Sequence, residues 1–203
     1  MIGDTFVLAS NNAHKLTELR AIFKMLGLSV ISAREANAAA DPEENGATFA
    51  ENAMIKARAI YDLCGLPTVA DDSGLCVDAL DGAPGIYSAR FGGFSEDADH
   101  RKLLLEKMKN IPEKDRTAHF TSVIACILPD GGAFCVEGIC PGRIAFEERG
   151  ENGFGYDSLF LPDGEGGKTF AELPPSRKNT VSHRARALAA FAAAIKEKRS
   201  NEV

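Results

Sequence analysis

No run of about 18 apolar residues occurs in the 203 residues of this chain, so no membrane-spanning helix is expected. Met1-Ile2-Gly3-Asp4 lacks a basic start followed by a long apolar stretch, so no signal peptide is expected either. Positive charge is not in excess: 23 Lys and Arg stand against 29 Asp and Glu, a net charge of −6. A phosphate polymer demands a basic face, so the charge argues against a nucleic-acid polymer as partner; it does not exclude a small phosphorylated ligand held by a few placed cations. The five cysteines, Cys64, Cys76, Cys126, Cys135 and Cys140, are odd in number and form no C-x-x-C pair. A buried, reduced, structural role is expected for all five, and the cytoplasm is the default compartment. Internal repeats, linkers and low-complexity blocks are missing. What remains is 45% hydrophobic and 26% charged, enough for one domain or two closely packed lobes with a proper core.

The apolar pattern alternates between strand and helix. Thr5-Phe6-Val7-Leu8-Ala9 reads as a buried strand. Leu16, Leu19, Ile22, Phe23 and Leu26 recur at helical spacing, predicting an amphipathic helix over 13–26 that stops at Gly27. Leu28–Ile31 is a short second strand. Thr48-Phe49-Ala50-Glu51 fits a capping box and opens a helix to Cys64. Leu66–Ala70 and Leu75–Val77 are extended runs separated by an acidic turn, and 81–94 reads as a long ordered loop. A helix is expected near 96–109. Thr117–Leu128 and Ala133–Cys140, joined by Pro129-Asp130-Gly131-Gly132, form a hairpin. The first of these strands alternates moderately and the second does not. Residues 150–180 are loop-rich, and an Ala-rich helix covers 182–198. The order β-α-β-α-β, hairpin, helix predicts a mixed α/β sheet. Polar loops at 10–15, 42–46, 71–74 and 153–183 interrupt it, and ligands in such folds favour the carboxyl ends of strands.

Those loops hold the chemistry-bearing residues. Ala70-Asp71-Asp72-Ser73-Gly74-Leu75 sets two adjacent carboxylates at a strand end, costly without a cation. If the backbone stays extended, their side chains point to opposite sides, so only one easily faces a given pocket. Ser73 and Gly74 then suit a tight turn where a ligand approaches the backbone. The pattern fits a divalent metal beside a phosphate; the alternative is a solvated acidic turn. Ser10-Asn11-Asn12-Ala13-His14-Lys15 links a strand to a helix N-terminus, which favours an anion. Asn12 serves equally as an N-cap. Lys15 opposes the helix dipole there, which needs a reason. This is not a Walker loop, since its glycines and Lys-Ser/Thr pair are missing. Glu43-Glu44 could supply a second oxygen ligand to Mg²⁺, or be solvated. Asn52 and Lys56 share a helix face, toward a ligand or toward solvent. Gly153-Phe154-Gly155-Tyr156-Asp157 offers rings that stack on a planar base or plug the core. His183 and Arg184, with Lys178 upstream, place donors at the start of the last helix, either for a keto oxygen or anion or simply at the surface.

Five blocks, SNNAHK at 10–15, TFAENAMIKA at 48–57, ADDSGLCVDALDGAPGIYSARF at 70–91, GFGYDSLF at 153–160 and KNTVSHRARAL at 178–188, together resemble the inosine/xanthosine triphosphate pyrophosphatase family. The resemblance spans nearly the whole chain. It implies one nucleoside-triphosphate pyrophosphatase domain over 1–203: an elongated mixed central sheet with flanking helices, two lobes around a nucleotide cleft, and a homodimer. It also implies Mg²⁺-dependent hydrolysis of ITP, XTP and dITP to the monophosphate and pyrophosphate. Position by position, Ser10, Asn11, Asn12, Ala13, His14 and Lys15 match the phosphate loop, and Glu43 a metal-linked position. Asp72 matches the metal ligand and proton acceptor, Ser73 a substrate contact, and Lys56 a lysine lining the phosphate region. Phe154, Gly155, Tyr156, Asp157, Lys178, His183 and Arg184 match the nucleotide-binding positions. The chain departs from the family at Asn11 and His14, where glycine is often found.

These assignments predict attack of water on the α-phosphorus, with Asp72 accepting its proton or positioning the metal that does so, and Lys15 and Lys56 on the β and γ phosphates. His183 and Arg184 would donate to the 6-keto oxygen of hypoxanthine or xanthine, leaving adenine unmatched. Two other readings are a Maf-like pyrophosphatase of pyrimidine or modified nucleotides, and a non-catalytic nucleotide sensor.

Overall fold

The structure is a computed structural model and describes residues 4–10 and 12–200. Its strands are β1 (Thr5–Leu8), β2 (Ser29–Ser32), β3 (Thr68–Val77), β4 (Thr117–Ile127), β5 (Ala133–Ile144) and β6 (Phe160–Pro162). They form one mixed sheet in the order β2-β1-β3-β4-β5-β6. β1 runs parallel to β2 and β3, while β5 and β6 are antiparallel. The helices are α1 (Ala13–Met25), α2 (Phe49–Cys64), α3 (Asp97–Lys107), α4 (Pro175–Val181) and α5 (His183–Ser200). None of the described helices is long and apolar enough to cross a membrane. The chain divides into two compact units. The first is the described part of Met1–Asp72, Ser122–Gly138 and Arg184–Val203; the second is Ser73–Thr121 and Ile139–His183.

In the first unit the period-2 alternation of the strands sorts residues onto two faces. Phe6, Leu8, Val69, Ile124 and Cys126 pack with Leu19 and Phe23 of α1 and Leu188 and Phe191 of α5. Val7, Ala9, Ala70, Val123 and Ala125 pack with Ala53, Ala57 and Ile60 of α2. The sheet therefore has an α1/α5 face and an α2 face. Both helix starts are capped as their sequences demand: Asn12 Oδ1 accepts from Lys15 N at 3.1 Å, and Thr48 Oγ1 from Glu51 N at 3.1 Å. The capping box at 48–51 is only half formed, because Glu51 reaches back one residue further, to Ala47 N.

The second unit has one core, in which Leu75, Val77, Leu104, Met108, Phe120, Tyr156, Phe160 and Phe170 meet. Arg116 is buried within it and donates to the carbonyls of Met108, Ile144 and Ala145 at 2.7–2.9 Å.

Three expectations are corrected. The acidic turn at 71–74 is no turn: β3 runs unbroken from Thr68 to Val77. Burial of the hairpin strands reverses the sequence pattern, with β4 buried almost throughout and β5 alternating. Glycines Gly138 and Gly142 occupy buried positions of β5 and Ile139 an exposed one, so residue hydrophobicity hides its period. None of the five cysteines forms a disulfide, but Cys135 is exposed, Cys64 and Cys76 are half-buried, and only Cys126 and Cys140 are fully buried.

Candidate functional site

The extended backbone of β3 decides where the two carboxylates go. Asp71 is two residues past Val69 and faces α1 and α5; Asp72 is two past Ala70 and faces α2. Each then meets a lysine from the helix on its own side. Lys15 Nζ of α1 lies 2.9 Å from Asp71 Oδ2, and Lys56 Nζ of α2 lies 2.7 Å from Asp72 Oδ1. Lys15 thus finds the anion that a cation in a first helical turn requires.

Asp71 is the hub of the α1/α5 side. Its side chain is fully buried, with Ser122 Oγ of β4 donating to Oδ1 at 2.6 Å and Arg184 Nε of α5 donating to Oδ2 at 3.3 Å. Arg184 Nη1 also donates to Glu18 Oε2 at 2.8 Å. Burial alone would raise the Asp71 carboxyl, but Lys15, Arg184 and Ser122 outweigh it and hold it well below the usual carboxylate range. Burial holds the Lys15 ammonium below its ordinary value, with Asp71 opposing. A carboxylate this tightly committed is a fixed anion.

Asp72 behaves differently. Burial pushes its carboxyl above the ordinary value against the pull of Lys56 and Lys15, and Glu44 adds to the rise. Burial would depress the Lys56 ammonium, but Asp72, Glu44 and Asp71 turn the net direction upward. Glu44 Oε2 lies 3.3 Å from Lys56 Nζ, whereas Glu43 is exposed. The loop carrying both is anchored by Asn52, whose Oδ1 accepts from Gly46 N at 2.8 Å. Asn52 is one helical turn before Lys56, so one face of α2 supplies the loop anchor and the cation. Asp72 and Glu44 share the Lys56 ammonium, and carboxylate oxygen is the donor type Mg²⁺ takes, with water and phosphate completing its shell; among the described residues no group of three or more His, Cys, Asp or Glu side chains gathers to hold a metal ion.

The second unit holds the other group. Lys178 Nζ of α4 lies 2.6 Å from Asp157 Oδ2, 5.0 Å from the centre of the Phe154 ring and 5.6 Å from that of Phe170. Asp157 Oδ2 also accepts from Phe154 N at 2.8 Å. Gly153 has φ +81°, and a Cβ there would fall 2.0 Å from the same oxygen, so this position requires glycine. His183 is buried, its ring stacked on Phe120 at 4.6 Å and 13°. Tyr156 is also buried, and its hydroxyl donates to Ser88 O at 2.9 Å.

The model of the Ham1 family matches residues 6–194. The chain belongs to the Ham1 family. A relative from Corynebacterium diphtheriae, named dITP/XTP pyrophosphatase, is 49% identical, the match covering 90% of this chain and 92% of the relative. One from Leifsonia xyli with the same name is 47% identical, with 91% and 92% covered. Among solved structures, a HAM1 protein from Coxiella burnetii superposes with a TM-score of 0.84 at 40% identity, covering 97% of this chain and all of that one.

Within this Ham1 chain, the sequence-expected residues fall into three groups. Lys15, Asp71 and Arg184 converge, as do Lys56 and Asp72; Phe154, Asp157 and Lys178 form the third group. Ser10 Oγ accepts from Asn12 N at 3.2 Å, which shapes the first loop. Ala13 and His14 are exposed on the first turn of α1, and Ser73 is half-buried in β3. Asn11 lies outside the described residues. Tyr156 takes the core-plugging alternative, not an exposed stacking position. Sequence reading missed Glu18 and Ser122, since a lone acid in a helix and a serine in a strand carry no local signal. It named Glu44 only as half of a pair, and the strand-helix register is what selects it.

Proposed function

We propose that this chain hydrolyses non-standard purine nucleoside triphosphates, dITP, XTP and ITP, to the monophosphate and pyrophosphate. The observation carrying this reading is the pairing of each β3 carboxylate with its own lysine. It is supported by Ham1 membership and by the names of the relatives from C. diphtheriae and L. xyli.

Lys15 and Lys56 bind the β and γ phosphates, with Ser10, Asn11, Asn12, Ala13 and His14 completing the loop and Ser73 a further contact. Water attacks the α-phosphorus, a P–O bond forms, the bond to the bridging oxygen breaks, and pyrophosphate leaves. Asp72 accepts the proton of the attacking water or would hold the metal that acidifies that water, the second route mattering more because an ordinary aspartate is a weak base. Asp72, with Glu43 or Glu44, would hold Mg²⁺, whose charge would neutralise the phosphates. Phe154 offers its ring to the base, Lys178 and Asp157 hold that ring's loop with Gly155 and Tyr156, and His183 with Arg184 recognises the 6-keto oxygen. A homodimeric enzyme of the cytoplasm, with one pyrophosphatase domain over 1–203, accords with this reading.

The test is hydrolysis of dITP, XTP, ATP, GTP and dTTP with and without Mg²⁺, resolving pyrophosphate from orthophosphate. Mg²⁺-dependent dIMP and pyrophosphate, with little turnover of ATP or GTP, is expected. Orthophosphate as the sole direct product, or preference for dTTP, overturns the assignment.

A further inference from the structure

The loop that carries Phe154 is gripped from one side by α3. Gly155 N donates to Asp97 Oδ2 at 2.8 Å, and Gly155 O accepts from Arg101 Nη1 at 3.0 Å. Asp97 and Arg101 are four residues apart, on one face of α3. Arg101 is itself braced, since its Nε donates to Glu148 Oε2 at 2.7 Å and Ser158 Oγ donates to the same oxygen at 3.1 Å. Neither α3 residue is among the positions that the family resemblance marks.

The backbone geometry gives this grip a consequence. The φ and ψ of Phe154 lie between its own peptide N–H and that of Gly155. The first is tied to Asp157 Oδ2 and the second to Asp97 Oδ2, with the next carbonyl tied to Arg101. With both flanking peptide groups fixed, the Cα–Cβ direction of Phe154 is fixed, and the Lys178 ammonium 5.0 Å from the ring centre lies where that direction carries the ring. Gly155 at φ +59° has nothing within 4 Å of a would-be Cβ, so its neighbours do not confine the loop there and the two hydrogen bonds do.

We propose that Asp97 and Arg101 are positioning residues that set the Phe154 ring for the base, and thereby govern affinity for the nucleoside half of the substrate. This rests on the pyrophosphatase reading above. A ring displaced by about 1 Å loses stacking, whereas the lysines assigned to the phosphates, Lys15 and Lys56, belong to other elements.

The experiment is steady-state kinetics on dITP for the wild type, Asp97→Ala, Arg101→Gln and Arg101→Lys. Inhibition by tripolyphosphate, which lacks a base, is measured on each. KM for dITP should rise roughly tenfold in Asp97→Ala and Arg101→Gln with kcat within about twofold, and the tripolyphosphate inhibition constant should not move. Arg101→Lys, which keeps one donor for the Gly155 carbonyl but loses the fork to Glu148, should recover part of the affinity. Hydrogen exchange at the Gly155 amide, read without substrate, should quicken in Asp97→Ala, which removes its acceptor. An unchanged KM overturns the proposal, and so does a parallel loss of kcat or of tripolyphosphate inhibition, the mark of a general structural defect. A wild type that fails to turn over dITP sinks the activity itself, an outcome distinct from variants that behave like an active wild type.

Discussion

Asp71 and Asp72 are adjacent in one strand, yet their carboxylates answer to different helices: Lys15 of α1 stands 2.9 Å from Asp71, and Lys56 of α2 stands 2.7 Å from Asp72. The cause is the pleat, which sends successive side chains to opposite faces of the sheet. It gives the two residues different work. Asp71 neutralises a buried cationic pair; Asp72 sits where burial keeps its carboxyl above the ordinary value.

Exchange of either acid for its amide should separate these roles. Asp71→Asn leaves Lys15 and Arg184 short of an anion in a buried setting, and removing one partner of such a pair costs about 3–5 kcal/mol. Asp72→Asn leaves Lys56 with Glu44, so urea unfolding should shift far less while dITP turnover falls by about 10²-fold or more. Equal unfolding midpoints for the two variants would contradict the assignment.

The pH dependence of stability follows from the same carboxylate. The folded carboxyl of Asp71 lies below its unfolded value of 3.8, so Asp71 binds protons less readily when folded. Its contribution is therefore fully present above the unfolded value and is lost as pH falls from there through the folded value. Urea midpoints measured from pH 6 down to pH 3 should drop for the wild type. In Asp71→Asn the curve should begin lower and fall less. A parallel drop in both proteins rules out Asp71 as the source.

Glu44 rather than Glu43 is the carboxylate that reaches the Lys56 ammonium, 3.3 Å away. Glu44→Gln should raise the Mg²⁺ concentration for half-maximal dITP turnover by roughly tenfold, and Glu43→Gln should leave it within about twofold. The reverse ranking would return the role to Glu43. Titrating Mg²⁺ at saturating substrate reads this directly.

The sequence made the elements and the charged loops legible because each has a local cause. Apolar spacing of 3.6 marks α1, Asn12 and Thr48 mark helix starts, and a Pro-Asp-Gly-Gly turn marks the β4–β5 hairpin. It misread 71–74 because Asp, Ser and Gly favour turns locally. The sheet overrides that preference, since Lys15, Arg184, Ser122 and Lys56 give both carboxylates partners inside a strand. Glu18, Ser122, Asp97 and Arg101 were invisible for the converse reason. Each matters through a residue distant in sequence, 166 positions away for Glu18 and Arg184. Short elements such as β6 and α4 carry too few residues to display a period.

Gly153 and Gly155 bracket Phe154 and both have positive φ, but their surroundings differ. A Cβ at Gly153 would lie 2.0 Å from Asp157 Oδ2, while one at Gly155 would meet nothing within 4 Å. Gly155→Ala thus incurs only the left-handed backbone penalty, about 1–2 kcal/mol. Gly153→Ala incurs that penalty and also displaces the Asp157 carboxylate, which is 2.6 Å from Lys178 Nζ and accepts from the Phe154 amide. Thermal unfolding should therefore show the larger loss for Gly153→Ala, and KM for dITP should rise more in that variant. If the two alanine variants prove equally stable and equally active, the Asp157 carboxylate does not hold the Phe154 loop, and the ring's position must be set elsewhere.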